Sequence, residues 1–367
     1  MRFAISTIPL SYGPQHDEWV MEAELRMAQM ADGLGYDLVM VGERHFSGAV
    51  GGNPLLSLAT LAPRLTHAWL GTGVVLVPNY HPIRLAEMLN IIDHYTKGKA
   101  IIGLGSGMSP EDAVAFGFEV AQQTERMFND NIDALIALWK KQSDDPAITI
   151  DGAHYKGTLL ERITPTPYRK HQPYVKTTAS SDVHIERAAR EGWPVFFIKR
   201  DAEDASDLFK KYQTALFSHN HPANVLAHCA DWTSVAKPSM HVAETDEQAA
   251  AEWTYLDGRV KPFMRTKLAY NERARELQGL KMPPANVELR HTEEFRAKMT
   301  VYGGIDTMIE HVRGFEDAGY GMFHLSLISP VDEEGMAIWE RSVTLFAEKV
   351  MPHFRGVKPT WAKAAIG

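Results

Sequence analysis

The chain has 367 residues, of which 45% are hydrophobic and 23% are charged, values typical of a globular protein that buries a large core and not of a disordered one. Lys and Arg total 38 against 46 Asp and Glu, so the net charge of -8 leaves no basic surplus for a phosphate backbone, and we expect no nucleic-acid partner. The single cysteine, Cys229, excludes an intrachain disulfide framework and a cysteine-rich metal site, and it fits a reducing cytoplasm.

The N-terminal residues predict a strand. The segment 1–7 carries one charge and a short apolar run that soon meets Pro9, which is typical of a strand and not of a signal peptide. No stretch approaches the roughly 18 apolar residues that are needed to span a bilayer. We therefore expect a soluble, cytoplasmic protein without a membrane partner.

Apolar strands and amphipathic helices alternate along most of the chain. After the first strand, the predicted elements are helix 17–34, strand 37–41, helix 54–65, strand 69–77, helix 82–95, strand 99–104, helix 124–141, a hairpin-like stretch around 151–152, strand 174–178, helix 183–191, strand 195–198, a candidate strand 235–242, helix 306–318, strand 321–328 and helix 335–350. Continuous apolar strands separated by helices indicate parallel βαβ units, because both faces of such strands are covered. About eight units favour a closed TIM (β/α)8 barrel over an open sheet.

The domain organisation follows from the absence of a linker rich in Pro, Gly or Ser. We predict a single α/β barrel domain over 1–367. The segment 222–240 shows no clear periodicity apart from its candidate strand. The charged, methionine-containing segment 259–299 predicts a helical insertion near 255–300.

The loop after the second predicted strand carries the first candidate site. In a TIM barrel the active site lies where strands end and the following loops begin. Glu43, Arg44 and His45 place an acid, a permanent cation and a titratable imidazole at consecutive positions there. The alternative is a structural salt bridge that caps the strand.

A glycine-rich segment follows the fourth predicted strand. Gly103, Gly105 and Gly107 resemble a phosphate loop, but a dinucleotide fingerprint requires glycine where this chain has Met108, so a Rossmann interpretation fails. Closely spaced glycines still let the backbone approach a flat ligand. A tight turn is the alternative explanation.

A third candidate site precedes the helix predicted at 183–191. Ser180 and Ser181 lie before the free N–H groups of this helix, which form an anion site suited to a phosphate. Plain N-capping by Ser181 or Asp182 is the alternative. The histidines show no ligand spacing that predicts a metal site.

Taken together, these motifs resemble the bacterial luciferase-like flavin-dependent monooxygenases. The matching segments are 43–46 with 53–54, 70–74, 81–87, 93 with 97–99, the glycine-rich strand end, 116–117, 126 with 138–139, 152 with 155, and 347–352. The resemblance covers nearly the whole chain and is weakest from 217 to 301.

The resemblance implies a luciferase-like TIM barrel with insertions and a two-component reaction. Reduced FMN is supplied by a separate flavin reductase, and O2 is the second substrate. A C4a-hydroperoxyflavin then oxygenates a small hydrophobic organic molecule such as a ketone, an aldehyde or a terpene-like compound. The flavin does the chemistry, and the protein excludes water from it. The family also implies a homodimer.

The resemblance further assigns roles to individual residues. Glu43 and His45 match the family's acid and second histidine, and Gly73–Val74 falls where the family has a non-proline cis peptide under the isoalloxazine ring. The cofactor-binding positions implied in this way are Gly73, Val74, Gly105, Ser106, Ala179, Ser180 and Ser181.

At two positions this chain differs from the luciferases themselves. Arg44 replaces a catalytic histidine, and because arginine stays protonated it cannot act as a general base, although it can stabilise an anionic flavin or peroxide. Light emission is therefore not expected. Ser106 replaces a phosphate-binding arginine, which leaves hydroxyls, backbone groups and Lys176 or Arg200 to hold the phosphate.

Two other functions stay open at this point. One is an oxidoreductase of the same superfamily that uses the deazaflavin F420 for hydride transfer, although the acidic tail of F420 favours basic residues at the phosphate end and Ser106 supplies none. The other is a flavin-binding protein without turnover, against which the Glu43-Arg44-His45 loop argues.

Overall fold

The computed structural model of the chain describes residues 1–46, 48, 50–107, 109–119, 125–169, 175–178, 182–198, 202–236, 239–280, 299–359 and 361. The strands are β1 (Arg2–Ser6), β2 (Leu38–Val41), β3 (Trp69–Leu76), β4 (Ala100–Gly105), β5 (Ile148–Asp151), β6 (Lys156–Leu159), β7 (Val175–Thr178), β8 (Val195–Ile198), β9 (Ser234–Ala236), β10 (Ser239–Val242), β11 (Thr300–Gly303) and β12 (Met322–Leu325). Eight of them, β1, β2, β3, β4, β7, β8, β9 and β12, pair in parallel in that order and close into a barrel. The predicted TIM-type barrel is confirmed.

The helices cover the outer face of this barrel or extend from it. They are α1 (Asp17–Gly33), α2 (Pro54–Leu61), α3 (Pro82–Tyr95), α4 (Pro110–Ala115), α5 (Glu125–Lys140), α6 (Asp182–Glu191), α7 (Ala202–Ser218), α8 (Ala223–Trp232), α9 (Asp246–Leu277), α10 (Ile305–Asp317) and α11 (Glu333–Leu345). Several begin at capping residues that the sequence shows directly: the Asn53 side chain accepts from the Leu56 N–H at 3.2 Å, and Asp332 accepts from the Gly335 N–H at 2.8 Å. Among the described helices, none is both long and apolar enough to cross a membrane.

The barrel interior is filled by apolar side chains from inward-pointing strand positions and from the end of α8. This interior cluster consists of Ala4, Leu38, Met40, Ile101, Phe196, Trp232 and Met322. At the N-terminal end of the strands, the rings of Trp69 and Trp232 lie 4.6 Å apart and the Arg2 guanidinium lies 4.6 Å from the Trp232 ring. These groups close the N-terminal end of the barrel, which leaves the C-terminal ends of the strands as the end that can carry a site.

The segment 222–242 differs from the prediction. Its first part forms α8, a helix that the blurred periodicity did not reveal, and the candidate strand 235–242 is two strands. β9 pairs with β8 and β12 inside the barrel, whereas β10 pairs with β11 outside it and the Met240 N–H donates to the Ser326 carbonyl at 2.8 Å. The chain leaves the barrel between these strands, so the single candidate strand 235–242 contributes to two different sheets.

The predicted helical insertion begins earlier than its charge pattern suggested. α9 runs from Asp246, with Pro262 inside it, to Leu277. The remainder of the predicted insertion, 281–298, lies outside the described residues. An ion-pair network ties this helix to the body of the protein, because Glu252 pairs with the buried His241 on β10 at 2.7 Å and with the exposed Arg341 on α11 at 2.8 Å.

Candidate functional site

The loop after β2 is organised around the buried carboxylate of Glu43. Its side chain is 0% exposed. One oxygen, Oε2, accepts from the Leu76 N–H at 2.8 Å and the Tyr80 hydroxyl at 3.1 Å, and Oε1 accepts from the Asn79 amide at 2.9 Å and contacts His45 Nε2 at 2.9 Å. Burial and the Glu43 charge raise the pKa of Tyr80, so this phenol stays protonated as a donor. Glu43 thus joins the ends of β2 and β3 and has no contact left for a ligand.

His45 is held in a defined orientation by this carboxylate. Nε2 faces the Glu43 carboxylate, which favours the tautomer that carries the proton on Nε2, and Nδ1 accepts no hydrogen bond from any described residue. The His45 ring meets Phe116 edge to face at a centroid distance of 4.8 Å. Phe46 and Phe116 are 50% and 42% exposed, and their rings lie 6.3 Å apart. The imidazole therefore lies next to an exposed aromatic surface.

Arg44 projects differently from its two neighbours. Its backbone N–H donates to the Gly51 carbonyl at 3.0 Å, but its guanidinium makes no hydrogen bond or ion pair with any described residue. The side chain stands in a recess that is open to solvent yet surrounded by protein. Burial lowers the pKa of this guanidinium, while the charges of Asp112 and Glu111 raise it. Arg44 is a cation at working pH that is available to an anionic ligand.

The short helix α4 brings two buried carboxylates to this part of the site. Glu111 and Asp112 are 8% and 4% exposed. Glu111 Oε1 accepts from Lys267 Nζ on α9 at 2.7 Å, and Asp112 Oδ2 accepts from the Ser109 N–H at 3.1 Å. The insertion helix is thereby connected, through α4, to the loop that carries Arg44.

Gly73 and Val74 interrupt the burial of β3. The strand is otherwise almost completely buried between Leu70 and Leu76, but these two residues are partly exposed. Their peptide bond is cis, as the resemblance implied, and the Val74 carbonyl accepts from the Glu43 N–H at 3.0 Å. The partly exposed backbone therefore lies directly beside the Glu43-Arg44-His45 loop.

The end of β4 combines a tight contact with open space. A Cβ atom at Gly103 would lie 2.2 Å from the Thr72 carbonyl oxygen, so β3 and β4 approach too closely for any other residue. Gly105 is buried, Ser106 is partly exposed, and a Cβ atom at Gly107 would meet nothing within 4 Å. The strand end therefore has room for a flat ligand.

This contrast predicts opposite effects of alanine at two glycines. Gly103→Ala is expected to lower the free energy of unfolding by about 1 to 3 kcal/mol, because the new methyl group forces two strands apart. Gly107→Ala, the matched control, is expected to change it by less than about 0.5 kcal/mol. Urea unfolding followed by tryptophan fluorescence measures both; equal effects would contradict the strand contact.

The proposed phosphate site is described only in part. Ala179, Ser180 and Ser181 lie outside the described residues, as do Arg200 and the side chain of Lys176. Asp182 is the first residue of α6, and its carboxylate pairs with Lys211 Nζ at 3.0 Å. The carboxylate of Asp182, which would otherwise repel an anion at this helix, is thus paired with a lysine.

Several residues of the site were missed by sequence reasoning. Asn79 and Tyr80 follow the predicted strand 69–77 and were not singled out in the sequence, although they complete the Glu43 network. Ser6 and His324 lie on β1 and β12, where the Ser6 Oγ is 2.8 Å from His324 Nε2. A polar residue at an inward position of an apolar strand is the signal that would have found this pair. Within the described ranges, no three His, Cys, Asp or Glu side chains are grouped as metal ligands.

Comparison with known proteins identifies the family. A family model described as luciferase-like monooxygenase matches residues 1–321. The chain belongs to the luciferase-like monooxygenase family. The suspected resemblance is therefore confirmed, and members of this family among the curated relatives are named as monooxygenases.

Two relatives match this luciferase-like chain over most of their length. The 4-hydroxyprotoasukamycin monooxygenase of Streptomyces nodosus subsp. asukaensis is 29% identical over 95% of this chain and 90% of the relative. The oxygenase component of the flavin-dependent trigonelline monooxygenase of Acinetobacter baylyi is 23% identical over 96% and 95%.

Solved structures show the same fold with different cofactors. The oxygenating constituent of 3,6-diketocamphane monooxygenase of Pseudomonas putida, solved in complex with FMN, has a TM-score of 0.74 at 17% identity and covers 98% of this chain and 99% of its own. The coenzyme F420-dependent tetrahydromethanopterin reductase of Methanopyrus kandleri has a TM-score of 0.65 at 15% identity, with coverage of 96% and 99%. At these identities the likeness extends to the fold alone.

Proposed function

We propose that this protein is the oxygenase component of a two-component monooxygenase, which uses reduced FMN from a separate reductase and O2 to oxygenate a hydrophobic organic substrate. The observation that carries the proposal is the Arg44 guanidinium, which is open to ligand and lacks a partner among the described residues, next to the partly exposed backbone of Gly73 and Val74. Reduced FMN is anionic and has a broad tricyclic ring, so it matches a cation beside open backbone.

Each side chain then has a distinct task. The flavin, when bound, activates O2 for transfer of one oxygen atom. Arg44 stabilises the negative charge of the cofactor, and His45 Nδ1 holds or accepts a proton beside it. Glu43 acts as a positioning residue, since its carboxylate oxygens already bind His45 and the Leu76 N–H at the end of β3. Phe46 and Phe116 exclude water and contact the apolar substrate.

The phosphate end and the strand after β4 complete the proposed cofactor site. Gly105, Ser106 and the open space at Gly107 would lie along the flavin. Ala179, Ser180 and Ser181 would hold the phosphate through hydroxyls and the N-terminus of α6. The relative named as a flavin-dependent oxygenase component and the structural neighbour bound to FMN support this choice of cofactor.

Use of F420 is the second candidate, favoured by the structural likeness to an F420-dependent reductase. Hydride transfer by F420 needs no O2, so one experiment separates the two. Reduced FMN is mixed with the protein under anaerobic conditions, O2 is admitted, and the flavin absorbance is followed. We expect the oxidised flavin spectrum to return much more slowly than without protein.

Two outcomes of that experiment would overturn the proposal. One is a return to oxidised flavin as fast as in protein-free buffer. The other is tight binding of reduced F420 together with no measurable affinity for reduced FMN. A delayed return without a substrate-dependent product in a panel of ketones, aldehydes and terpenes would instead favour flavin binding without turnover.

We also propose that the protein forms a homodimer through α2 and α3. Leu56 on α2 and Tyr95 on α3 are 64% and 63% exposed, so both apolar side chains are available to a partner chain. Leu56→Glu and Tyr95→Glu are each expected to convert a dimer into a monomer in light-scattering measurements. Leu277→Glu on α9, where Leu277 is 61% exposed, is the matched control and should leave the dimer intact. A monomeric unchanged protein would contradict the proposal.

A further inference from the structure

Ser6 and His324 form a polar pair inside the barrel. Ala4 and Met322 belong to the interior cluster, and side chains alternate along a strand, so Ser6 on β1 and His324 on β12 also point inward. The register supports this, because Ala4 lies opposite His324. The Ser6 Oγ and His324 Nε2 are 2.8 Å apart, and the His324 ring lies 5.1 Å from Phe196 of the same interior cluster.

This pair lies at the upper boundary of the apolar interior. His324 is 3% exposed, whereas Ser6, the last residue of β1, is partly exposed. The N-terminal end of the barrel is closed by Trp69 and Trp232. Because Ser6 ends β1, its inward-pointing side chain lies at the C-terminal mouth, and we place its hydroxyl in the floor of the site.

The hydroxyl retains hydrogen-bonding capacity beyond its contact with His324. A serine Oγ offers one donor and two acceptor positions, of which the histidine uses one. If His324 Nε2–H donates to Ser6, the hydroxyl proton is free for a carbonyl oxygen; if Ser6 donates to the ring, its lone pairs accept from a hydroxyl. The hydroxyl can therefore meet a neutral oxygen atom either as donor or as acceptor.

The floor is also asymmetric. On the side of β3 and β4, glycine backbone at Gly73 and Gly103 to Gly107 leaves a flat wall, where the cofactor is proposed to lie. On the side of β1 and β12, the polar side chains of Ser6 and His324 lie next to the interior cluster. These two side chains place a hydrogen-bonding group at a defined position of the mouth, apart from the glycine backbone of β3 and β4.

Building on the proposed function, we propose that the Ser6 hydroxyl binds the oxygen atom of a ketone, aldehyde or alcohol substrate at the floor of the barrel mouth, with His324 as the residue that positions it. The substrate is accordingly an oxygenated hydrocarbon that enters with its polar atom toward β1 and β12. A pure hydrocarbon would leave the Ser6 hydroxyl without its ligand hydrogen bond.

The first test measures access to the floor and requires no cofactor. Cys229 is fully buried, its thiol donates to the Gly192 carbonyl at 3.3 Å, and burial raises its pKa to about 12, so the unchanged protein should resist iodoacetamide at pH 8. Ser6→Cys adds one thiol, which we expect to be alkylated. Ser342→Cys, at a serine that is 1% exposed, is the control and should not react. An unreactive Cys at position 6 would overturn the assignment.

The second test measures the hydrogen bond with simple probes. Ligand-observed NMR titrations give the Kd of cyclohexanone and of methylcyclohexane, a hydrocarbon of similar size. Ser6→Ala and His324→Phe are expected to weaken cyclohexanone binding about three- to tenfold and to leave methylcyclohexane unchanged, because one neutral hydrogen bond is lost. His324→Gln should restore part of the loss, since its amide can still reach Ser6. His241→Gln, at another buried histidine with one partner, should have no effect.

Several results would overturn the assignment: no binding of cyclohexanone to the unchanged protein, equal weakening for both probes, or a parallel loss of affinity for oxidised FMN in Ser6→Ala. The last result would place the flavin and not the substrate on this floor. Failure of the reduced-flavin experiment with both tests here positive would disprove only the monooxygenase reaction.

Discussion

Replacing Arg44 by methionine is expected to weaken the binding of reduced FMN about 10- to 100-fold, because the protein loses a charge-assisted contact with an anionic ligand. Methionine retains much of the length of the side chain but carries no charge. Because the guanidinium has no partner among the described residues, its removal breaks no internal ion pair, and the free energy of unfolding should change little. The measurement is an anaerobic titration of reduced FMN.

Two further variants test this interpretation of Arg44. Arg44→Lys keeps the charge but loses the planar donor pair, so an intermediate affinity is expected. Arg84→Met removes an arginine whose side chain is 71% exposed and pairs with Glu87 at 2.6 Å on the surface of α3, and it should bind flavin normally. An unchanged Kd in Arg44→Met would show that the cofactor lies elsewhere.

Replacing Glu43 by glutamine is expected to lower the free energy of unfolding by about 2 to 4 kcal/mol, despite the equal size of the two side chains. The carboxylate receives contacts from Leu76, Tyr80, Asn79 and His45, and the amide nitrogen of glutamine cannot accept from the two donors that it would face. These groups are buried, so water cannot replace the lost acceptor. Urea unfolding followed by fluorescence measures the change.

The control for Glu43 is another glutamate in an ion pair. Glu87→Gln affects a side chain that is 31% exposed, and its surface pair with Arg84 should contribute less than about 1 kcal/mol. The Glu43 variant should also lower kcat, because His45 loses the acceptor that orients its ring. Normal stability together with lost activity would indicate that Glu43 acts chemically and not as a positioning residue.

Much of the fold could be predicted from local patterns. The helix that begins at Pro54 has an Asn53 cap, and the buried strands β2 and β4 are continuous apolar runs, so their periodicity and end signals agree. The segment after Pro222 could not be predicted in this way. α8 is a short, largely apolar helix, so its sequence shows no clear polar face. β9 and β10 follow each other closely along the chain but belong to different sheets.

The candidate site was predictable to the level of its loops. Strand ends and family motifs placed Glu43, Arg44 and His45 in one loop, but the role of each residue depends on which side chain is buried. The structure buries the Glu43 side chain completely, leaves Arg44 open, and places Phe116, which follows α4 after β4, against His45. Spacing alone does not report such a contact between loops.

The amino-acid sequence by itself determined the alternation of strands and helices, the closed barrel that follows from it, and the family to which the chain belongs. These properties depend on hydrophobic periodicity and turn residues that lie close together along the chain. Only the tertiary structure decided that Ser6 meets His324, 318 positions away, and that Lys267 reaches Glu111 across 156 positions. Such pairs form because barrel closure brings the first and last strands together and because the insertion helix packs back over the βα loops, and no local pattern encodes either distance.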